Sequence, residues 1–275
     1  IINLNKIKPD IVFSTLGHVN IALLMIKPFL FNRPILWIRE ANMPSLSIPN
    51  WDKSFIIKIL YKTIYRFADI LICSSKKMSK EFIKTFKIPD KKIKVLYNPV
   101  DVVKIRSDAK KTINEIYKGQ NFVTVGSLDY QKGFDRLIYY MSRINNKSSH
   151  LTIIGSGPLK NELLKLVKKY KIEKNISFIE NSDNPYKWLL RADAFLLASR
   201  WEGMPNVVLE SLACSTVVIA TNEAGAVSEI SNSEHLTIVK PGKDFIDEMD
   251  KVSIKNKTTM GKNLLDDKFH KQNVG

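Results

Sequence analysis

Short apolar runs, rich in β-branched residues, recur along the chain between stretches with helical spacing. In the first part they are Asp10–Ser14, Ile35–Ile38, Asp69–Cys73 and Ile93–Tyr97. In the second they are Asn121–Gly126, Leu151–Ile154, Ile176–Ile179, Asp193–Ala198, Val217–Ala220 and Leu236–Val239. Several are apolar throughout rather than alternating, which marks strands buried on both faces and hence parallel sheet. Between them, Asp135–Arg143 and Leu159–Tyr170 carry the clearest helical periodicity, the latter presenting Leu163, Leu164 and Val167 to a sheet. Alternation of this kind predicts an α/β fold with right-handed crossovers. Asn98-Pro99-Val100-Asp101 separates two such series and precedes a polar helix predicted over Ser107–Lys118. The expected division is 1–101, 102–245, and a helical tail over 246–275 that could pack back on the first domain. No internal repeat is evident.

Ligands of doubly wound sheets bind outside the carboxyl ends of the strands, so chemistry is sought just after each run. After Asn121–Gly126 comes Ser127-Leu128-Asp129-Tyr130-Gln131-Lys132-Gly133, where Lys132 offers a point charge to a phosphate. Taken alone, it reads more readily as a solvated lysine. Gly155-Ser156-Gly157-Pro158 follows Leu151–Ile154 and reads first as a strand-to-helix turn with proline at the first helical position. After Asp193–Ala198, a short loop carries Glu202, and Pro205 opens a helix that contains Glu210. The first amides of a helix form a ready diphosphate site, and carboxylates on either side suit sugar hydroxyls. A capping Glu202 and a surface Glu210 explain that spacing about as well.

Composition narrows the picture. Hydrophobic residues make up 44% and charged residues 25% of 275 residues, as in a folded globular chain rather than a disordered one. Cys73 and Cys214 lie in or beside apolar runs and read as buried thiols, consistent with a reducing compartment. The net charge of +16 favours anionic partners, yet much of the excess is scattered lysine without interleaved aromatics, which argues against nucleic acid. The longest apolar run, Val19 to Phe31, is broken by Lys27 and Pro28 and is too short to span a bilayer. The chain opens without methionine, on a strand-like approach with no signal peptide, and upstream sequence is expected.

These motifs together resemble family 4 of the retaining glycosyltransferases. Glu202-Gly203-Met204-Pro205-Asn206-Val207-Val208-Leu209-Glu210 has the family's E-x7-E spacing. Val125-Gly126-Ser127-Leu128 with Lys132-Gly133-Phe134-Asp135 is similar to its G-R-L and K-G segment. Asn98-Pro99-Val100-Asp101, Ile154-Gly155-Ser156-Gly157-Pro158, Ala192–Ser199 and Ala224-Gly225 with Glu229-Ile230 also match, in order, from about Asn98 to Ile230. The resemblance implies a GT-B fold: two facing Rossmann-like, doubly wound domains, the first incomplete here. It implies that Gly126, Ser127 and Lys132 face the phosphates of a nucleotide-sugar donor, UDP- or GDP-linked. Glu202 would contact the transferred sugar, Gly203, Met204, Pro205, Asn206 and Val207 would line sugar and phosphate, and Glu210 would bind the ribose. Glu180 and Asn181 would lie near the base.

Ser127 replaces the family's usual arginine, which removes one phosphate charge, and Ser215 stands where a glycine often follows. In the first part, Glu40 is the loose counterpart of a histidine that contacts the donor sugar in relatives, so Lys132, Glu202 and Glu40 are the catalytic candidates. His18 reads as an ordinary loop histidine. No metal is required on this reading, because Lys132 and a helix start would meet the charge of the leaving diphosphate. The implied activity is retaining transfer of a hexose-type sugar to a glycan or lipid-linked acceptor in cell-surface polysaccharide synthesis. The alternative is an impaired remnant that only binds nucleotide sugar. A nicotinamide oxidoreductase ranks low, since Gly155-Ser156-Gly157-Pro158-Leu159-Lys160 lacks a third glycine. Trp51–Phe67 mixes large apolar residues with Lys53, Lys58, Lys62 and Arg66, and suits either a basic helix on the inner face of a cytoplasmic membrane or a core-facing helix with a solvated edge.

Overall fold

The computed structural model describes residues 2–50, 52–112, 117–180, 182–230, 235–252, 265 and 267–271. Contacts divide the chain into two units, one holding the residues up to Asn98 with Trp201–Met204, the other Pro99–Arg200 and the residues from Pro205 onward.

The first unit carries four parallel strands in the order β1-β2-β3-β4: β1 (Ile11–Ser14), β2 (Ile35–Glu40), β3 (Ile70–Cys73) and β4 (Ile93–Val95). Its helices are α1 (Ile2–Ile7), α2 (Gly17–Ile26), α3 (Pro44–Ser47), α4 (Ser54–Thr63) and α5 (Lys76–Phe86). Register is set by apolar partners: Ile11 lies opposite Ile35, Trp37 opposite Ile70 and Leu71 opposite Ile93. Leu36, Ile38, Leu71 and Cys73 face a core shared with Leu24, Tyr61, Tyr65, Phe82 and Phe86. The aromatics interlock, with the Tyr61 and Tyr65 rings stacked at 4.0 Å and Phe86 5.5 Å from Tyr61. Ser75 starts α5 by accepting a hydrogen bond from the Met78 amide at 3.1 Å, a side-chain cap worth about 1 kcal/mol. The strands follow one another in chain order, so this sheet contains no reversal of direction among the described residues. The chain opens on α1, whose residues are all exposed or half-exposed, and not on an extended approach.

The second unit carries six parallel strands in the order β10-β9-β8-β5-β6-β7. They are β5 (Asn121–Val125), β6 (His150–Ile154), β7 (Ile176–Ile179), β8 (Ala194–Leu197), β9 (Val217–Thr221) and β10 (Leu236–Val239). The helices are α6 (Val102–Ala109), α7 (Phe134–Arg143), α8 (Lys160–Tyr170), α9 (Tyr186–Arg191), α10 (Asn206–Ala213) and α11 (Lys243–Lys251). β6 and β8 are buried at every position, as continuous apolar runs require. Leu137, Ile138 and Met141 of α7, Leu163 and Val167 of α8, and Phe245 and Met249 of α11 close over one core. Leu164 is 36% exposed and does not join it. α6 replaces the polar helix expected over Ser107–Lys118. Asp101 accepts from the Lys104 amide at 3.0 Å and starts the helix five residues earlier, with Ile105 and Ala109 buried. Of the tail, α11 belongs to the second unit, and Phe269 accepts from the Val100 amide at 2.9 Å within it.

This second order builds outward in both directions from β5 and β8. Their junction is the topological switch point, the one place where adjacent strands send their connections to opposite faces and leave a crevice at their carboxyl ends.

Candidate functional site

Both loops leaving that junction carry the residues singled out by the sequence. From β5 the chain runs through Gly126 and Ser127 to Lys132. The Lys132 side chain folds back over Gly126, where an added Cβ would stand 3.2 Å from its methylenes. The ammonium stem is thereby laid across the end of β5. Asp129 shapes the loop, accepting from the Ser127 hydroxyl at 2.5 Å and from the Lys132 amide at 3.1 Å. Gly133 follows at φ +66°, with the Ala198 carbonyl only 2.2 Å from where a Cβ would sit, so a side chain is excluded on both conformational and steric grounds.

From β8 the chain passes Ala198 and Arg200 and, after Trp201–Met204, enters α10 through Pro205. Pro205, at the N-cap, makes no side-chain cap and has no N–H to offer. The first amides of a helix have no intrahelical acceptor and carry partial positive charge. Asn206 and Val207 occupy this first turn, and Glu210 lies one turn further along. The Glu210 carboxylate is half-buried, and its pKa is raised by burial. No described side chain donates a hydrogen bond to it. Such a group gains from hydroxyl donors brought by a ligand.

Sequence spacing gave no sign of the group that ties these two loops together. Arg200 forms a two-pronged pair with Asp135 at 2.9 and 2.6 Å and donates to the Tyr130 carbonyl at 2.6 Å. Its guanidinium lies 3.8 Å from the Tyr130 ring centre, and its own amide donates to the Gln131 carbonyl at 2.7 Å. Burial would raise the Asp135 carboxyl, but the Arg200 hydrogen bonds and charge outweigh it and hold the group below the usual carboxylate range. Two oppositely charged residues 65 positions apart leave no local signature.

The Gly155-Ser156-Gly157 turn serves packing, as expected. A Cβ at Gly155 would stand 1.9 Å from the Gly126 carbonyl, and one at Gly157 2.5 Å from the Leu128 amide. The Leu128 amide donates to Ser156 at 2.9 Å, and the Leu159 amide donates to Leu128 at 2.9 Å. Glu180 stands after edge strand β7, two strands from β5, and pairs with Lys160. Asn181 lies outside the described residues.

Glu40, Glu202, Gly203 and Met204 stand together in the first unit. Gly203 bridges to Asn42, and an added Cβ there would meet the Ala41 carbonyl at 2.0 Å. The Asn98 amide group donates to the Met204 carbonyl at 3.4 Å. Glu202 is buried. Glu40 departs from the expected contact with a donor sugar: its carboxylate is turned into the core, 5% exposed, accepting from Asn20 at 2.9 Å and from the Tyr65 hydroxyl. Burial raises its pKa to about 7, against the opposing effect of these hydrogen bonds. Alternation along β2 explains the turn inward, since Leu36, Ile38 and Glu40 share the buried face. His18 sits exposed on α2. Both cysteines are buried and outside any disulfide.

Comparison with known proteins identifies the family and the fold. The sequence matches the family described as glycosyl transferases group 1 over residues 106–263, and glycosyltransferase family 4 over residues 3–104. It is 32% identical over 232 residues to the N-acetylgalactosamine-N,N'-diacetylbacillosaminyl-diphospho-undecaprenol 4-alpha-N-acetylgalactosaminyltransferase of Campylobacter jejuni, covering 84% of this chain and 62% of that protein. An uncharacterized glycosyltransferase of Methanocaldococcus jannaschii is 30% identical over 233 residues, with 80% of this chain and 57% of that protein covered. The chain thus spans about three-fifths of the length of these relatives. Among solved structures, Anabaena HepE in complex with UDP-glucose aligns with a TM-score of 0.75 at 16% identity, covering 92% of this chain and 71% of that one. Sucrose-phosphate synthase of Thermosynechococcus elongatus aligns at 0.76 and 17% identity, covering 91% and 65%. The two parallel sheets are those of the GT-B fold, and with both halves of the sequence matched by its models, the chain belongs to the family 4 glycosyltransferases.

Proposed function

We propose that this chain transfers a hexose-type sugar, with retention of configuration, from a nucleoside-diphosphate sugar to a glycan or lipid-linked acceptor in polysaccharide or glycoconjugate synthesis. The observation that carries the reading is the junction of β5 and β8, where a lysine loop and a helix start with proline at its N-cap leave adjacent strand ends, with Glu210 one turn into that helix. Lys132 and the amides of Asn206 and Val207 would hold the diphosphate, with Gly126 and Ser127 allowing its close approach. The half-buried Glu210 would accept from the ribose hydroxyls, and Glu202 would meet the sugar.

As the glycosidic bond breaks, negative charge gathers on the leaving diphosphate. A fixed ammonium and helix dipole stabilise that charge without reorganising, which is the larger part of such catalysis. The anomeric carbon becomes oxocarbenium-like, and the acceptor hydroxyl would attack on the face that the diphosphate leaves. These groups make a metal unnecessary. Several relatives support the glycan setting by name, among them a capsular polysaccharide biosynthesis glycosyltransferase of Staphylococcus aureus. A UDP-linked donor is favoured by fold neighbours crystallised with UDP.

Calorimetry with UDP, GDP and their sugars tests donor binding. A heat of binding with one nucleotide series, abolished in Glu210→Ala, is expected, and no binding to either series would overturn the reading. Release of nucleoside diphosphate in the presence of acceptor extracts then separates transfer from donor binding alone.

A further inference from the structure

We propose that Arg39 and Asn98 position the Glu202-Gly203-Met204 segment, and so decide how strongly the chain favours a nucleotide sugar over the bare nucleotide, an inference that rests on the donor reading above. All of these residues belong to the first unit. Asn98 precedes Pro99, and Met204 precedes Pro205. A following proline disfavours the helical region and holds a residue extended. Two backbone pieces of limited freedom therefore meet where the Asn98 side chain donates to the Met204 carbonyl at 3.4 Å.

An asparagine can turn either its oxygen or its NH2 group towards a neighbour, and the two ends have nearly the same shape. Arg39 removes that choice. A guanidinium only donates, so it takes the Asn98 Oδ1, at 2.5 Å, and leaves Nδ2 for Met204. Asn98 is buried, so little water reaches either bond. Arg39 is held in turn: it lies in β2 opposite Ile72, and its carbonyl accepts from Asn20 at 3.0 Å. Both residues act through Met204, as positioning residues.

The bond to Met204 is long, and it acts beside a second fixture. Gly203 bridges to Asn42, just past the end of β2. A Cβ on Gly203 would stand 2.0 Å from the Ala41 carbonyl and 3.2 Å from the Met78 methyl, so the backbone there is packed to contact. The Met204 side chain is buried as well. The two residues that follow Glu202 are thus fixed by the end of β2 and by Asn98, and the position of the Glu202 carboxylate follows from theirs. Lys132, Asn206, Val207 and Glu210, assigned to phosphate and ribose, lie outside this segment. Misplacing a substrate-positioning group by about 1 Å can cost on the order of a hundredfold in rate. A nucleotide that carries no sugar does not sense that shift.

The test is calorimetry of the full chain with UDP, GDP and their glucose and N-acetylglucosamine conjugates, read as the ratio of sugar-nucleotide to nucleotide affinity. The rate of nucleoside diphosphate release with acceptor extracts is measured on the same preparations. Asn98→Asp keeps a partner for Arg39 but sets a carboxylate oxygen against the Met204 carbonyl. It should lower both the ratio and the release rate on the order of tenfold or more, with nucleotide affinity held within about twofold. Arg39→Met leaves the turn at Asn98 intact and frees its amide to rotate, and should lower both on the order of threefold. Arg39→Lys should retain most of the original ratio, since an ammonium also only donates. An unchanged ratio and release rate in Asn98→Asp and Arg39→Met would overturn the proposal. So would nucleotide affinity that falls in step with sugar-nucleotide affinity, which is the mark of general damage to the fold. Absence of nucleotide binding by the unaltered chain is a separate result, and it would overturn the donor reading and this inference with it.

Discussion

Replacing Arg200 with alanine removes a side chain that joins the loop leaving β5 to the loop leaving β8. Three hydrogen bonds are lost, two to Asp135 and one to the Tyr130 carbonyl, together with the stacking on the Tyr130 ring. Charged hydrogen bonds contribute about 1.5–3 kcal/mol each, and a cation over an aromatic face about 0.5–1 kcal/mol. These do not add, because they share one guanidinium. Asp135 is also 39% exposed, so water recovers part of the loss when its partner goes. A cost of about 2–3 kcal/mol is therefore expected, equivalent to roughly 5–10 °C in the melting temperature of a unit this size. The backbone bond from Arg200 to Gln131 survives the change, so the loops should loosen rather than separate. Loosening releases Lys132, and the phosphate contact should suffer while nucleoside contacts do not. The assay is calorimetry with UDP, UMP and uridine. Affinity for UDP should fall about tenfold while that for uridine holds. Arg200→Lys should behave nearly as badly, since an ammonium cannot span both carboxylate oxygens and the carbonyl. An unchanged ratio of UDP to uridine affinity, whatever the melting temperature does, would refute the reasoning.

Further outcomes follow from single groups. Glu210→Gln should raise the melting temperature near neutral pH while lowering nucleotide affinity by about tenfold or more, since two hydroxyl donors lose a charged acceptor. Burial raises the Glu210 pKa, so its ionised form opposes folding, and the thermal gain should vanish as the pH falls below the ordinary carboxylate range. Glu40, raised from 4.5 to about 7, binds its proton more tightly in the folded state, so stability should decline as pH rises across that window. Urea titrations at several pH values should show that slope flattened in Glu40→Gln, and an identical slope would exclude Glu40 as its source. Gly155→Ala places a Cβ 1.9 Å from the Gly126 carbonyl at φ +145° and should cost on the order of 3 kcal/mol or more in chemical denaturation.

The ten described strands are legible from apolar, β-branched runs, most plainly β6 and β8, where burial at every position leaves no alternation to confuse the period. What the pattern misplaces has local causes. The helix expected to begin at Ser107 begins earlier, because the Asp101 cap draws Val102 and Val103 into α6. Leu164 satisfies helical spacing but sits at the margin of the buried arc of α8. Glu40 looks like a functional acid because it follows a strand. Its inward direction depends on Asn20 and Tyr65, which are distant in sequence. The order of the sheets is a long-range property, and with it the finding that, among the described strands, the switch point falls in the second sheet. Lys132, Glu202 and Glu210 stand out in the sequence by their position after strands. Arg200 and Asp135 follow the same strands, but nothing in either loop alone indicates that they meet.

The arrangement of glycines adds a consequence for binding. Gly126, Gly133, Gly155 and Gly157 each remove a side chain at a backbone or side-chain contact made by the loop leaving β5 or by a neighbouring turn. With Asp129 bridging the loop internally and Arg200 gripping it at Tyr130 and Gln131, little freedom is left to the backbone around Lys132. Its conformational entropy is lost on folding and not on ligand capture. A loop ordered in advance binds its ligand without that cost, and it presents charge to a leaving group without reorganisation. The same reasoning explains why Glu210 can be left without a donor. An unmatched carboxylate destabilises the fold by an amount that the clamped loops and the buried strands beneath them can absorb, and the mismatch ends only when hydroxyls arrive. Stability and affinity should therefore move in opposite directions at Glu210 and in the same direction at Arg200, a contrast that a purely structural role for either residue does not produce.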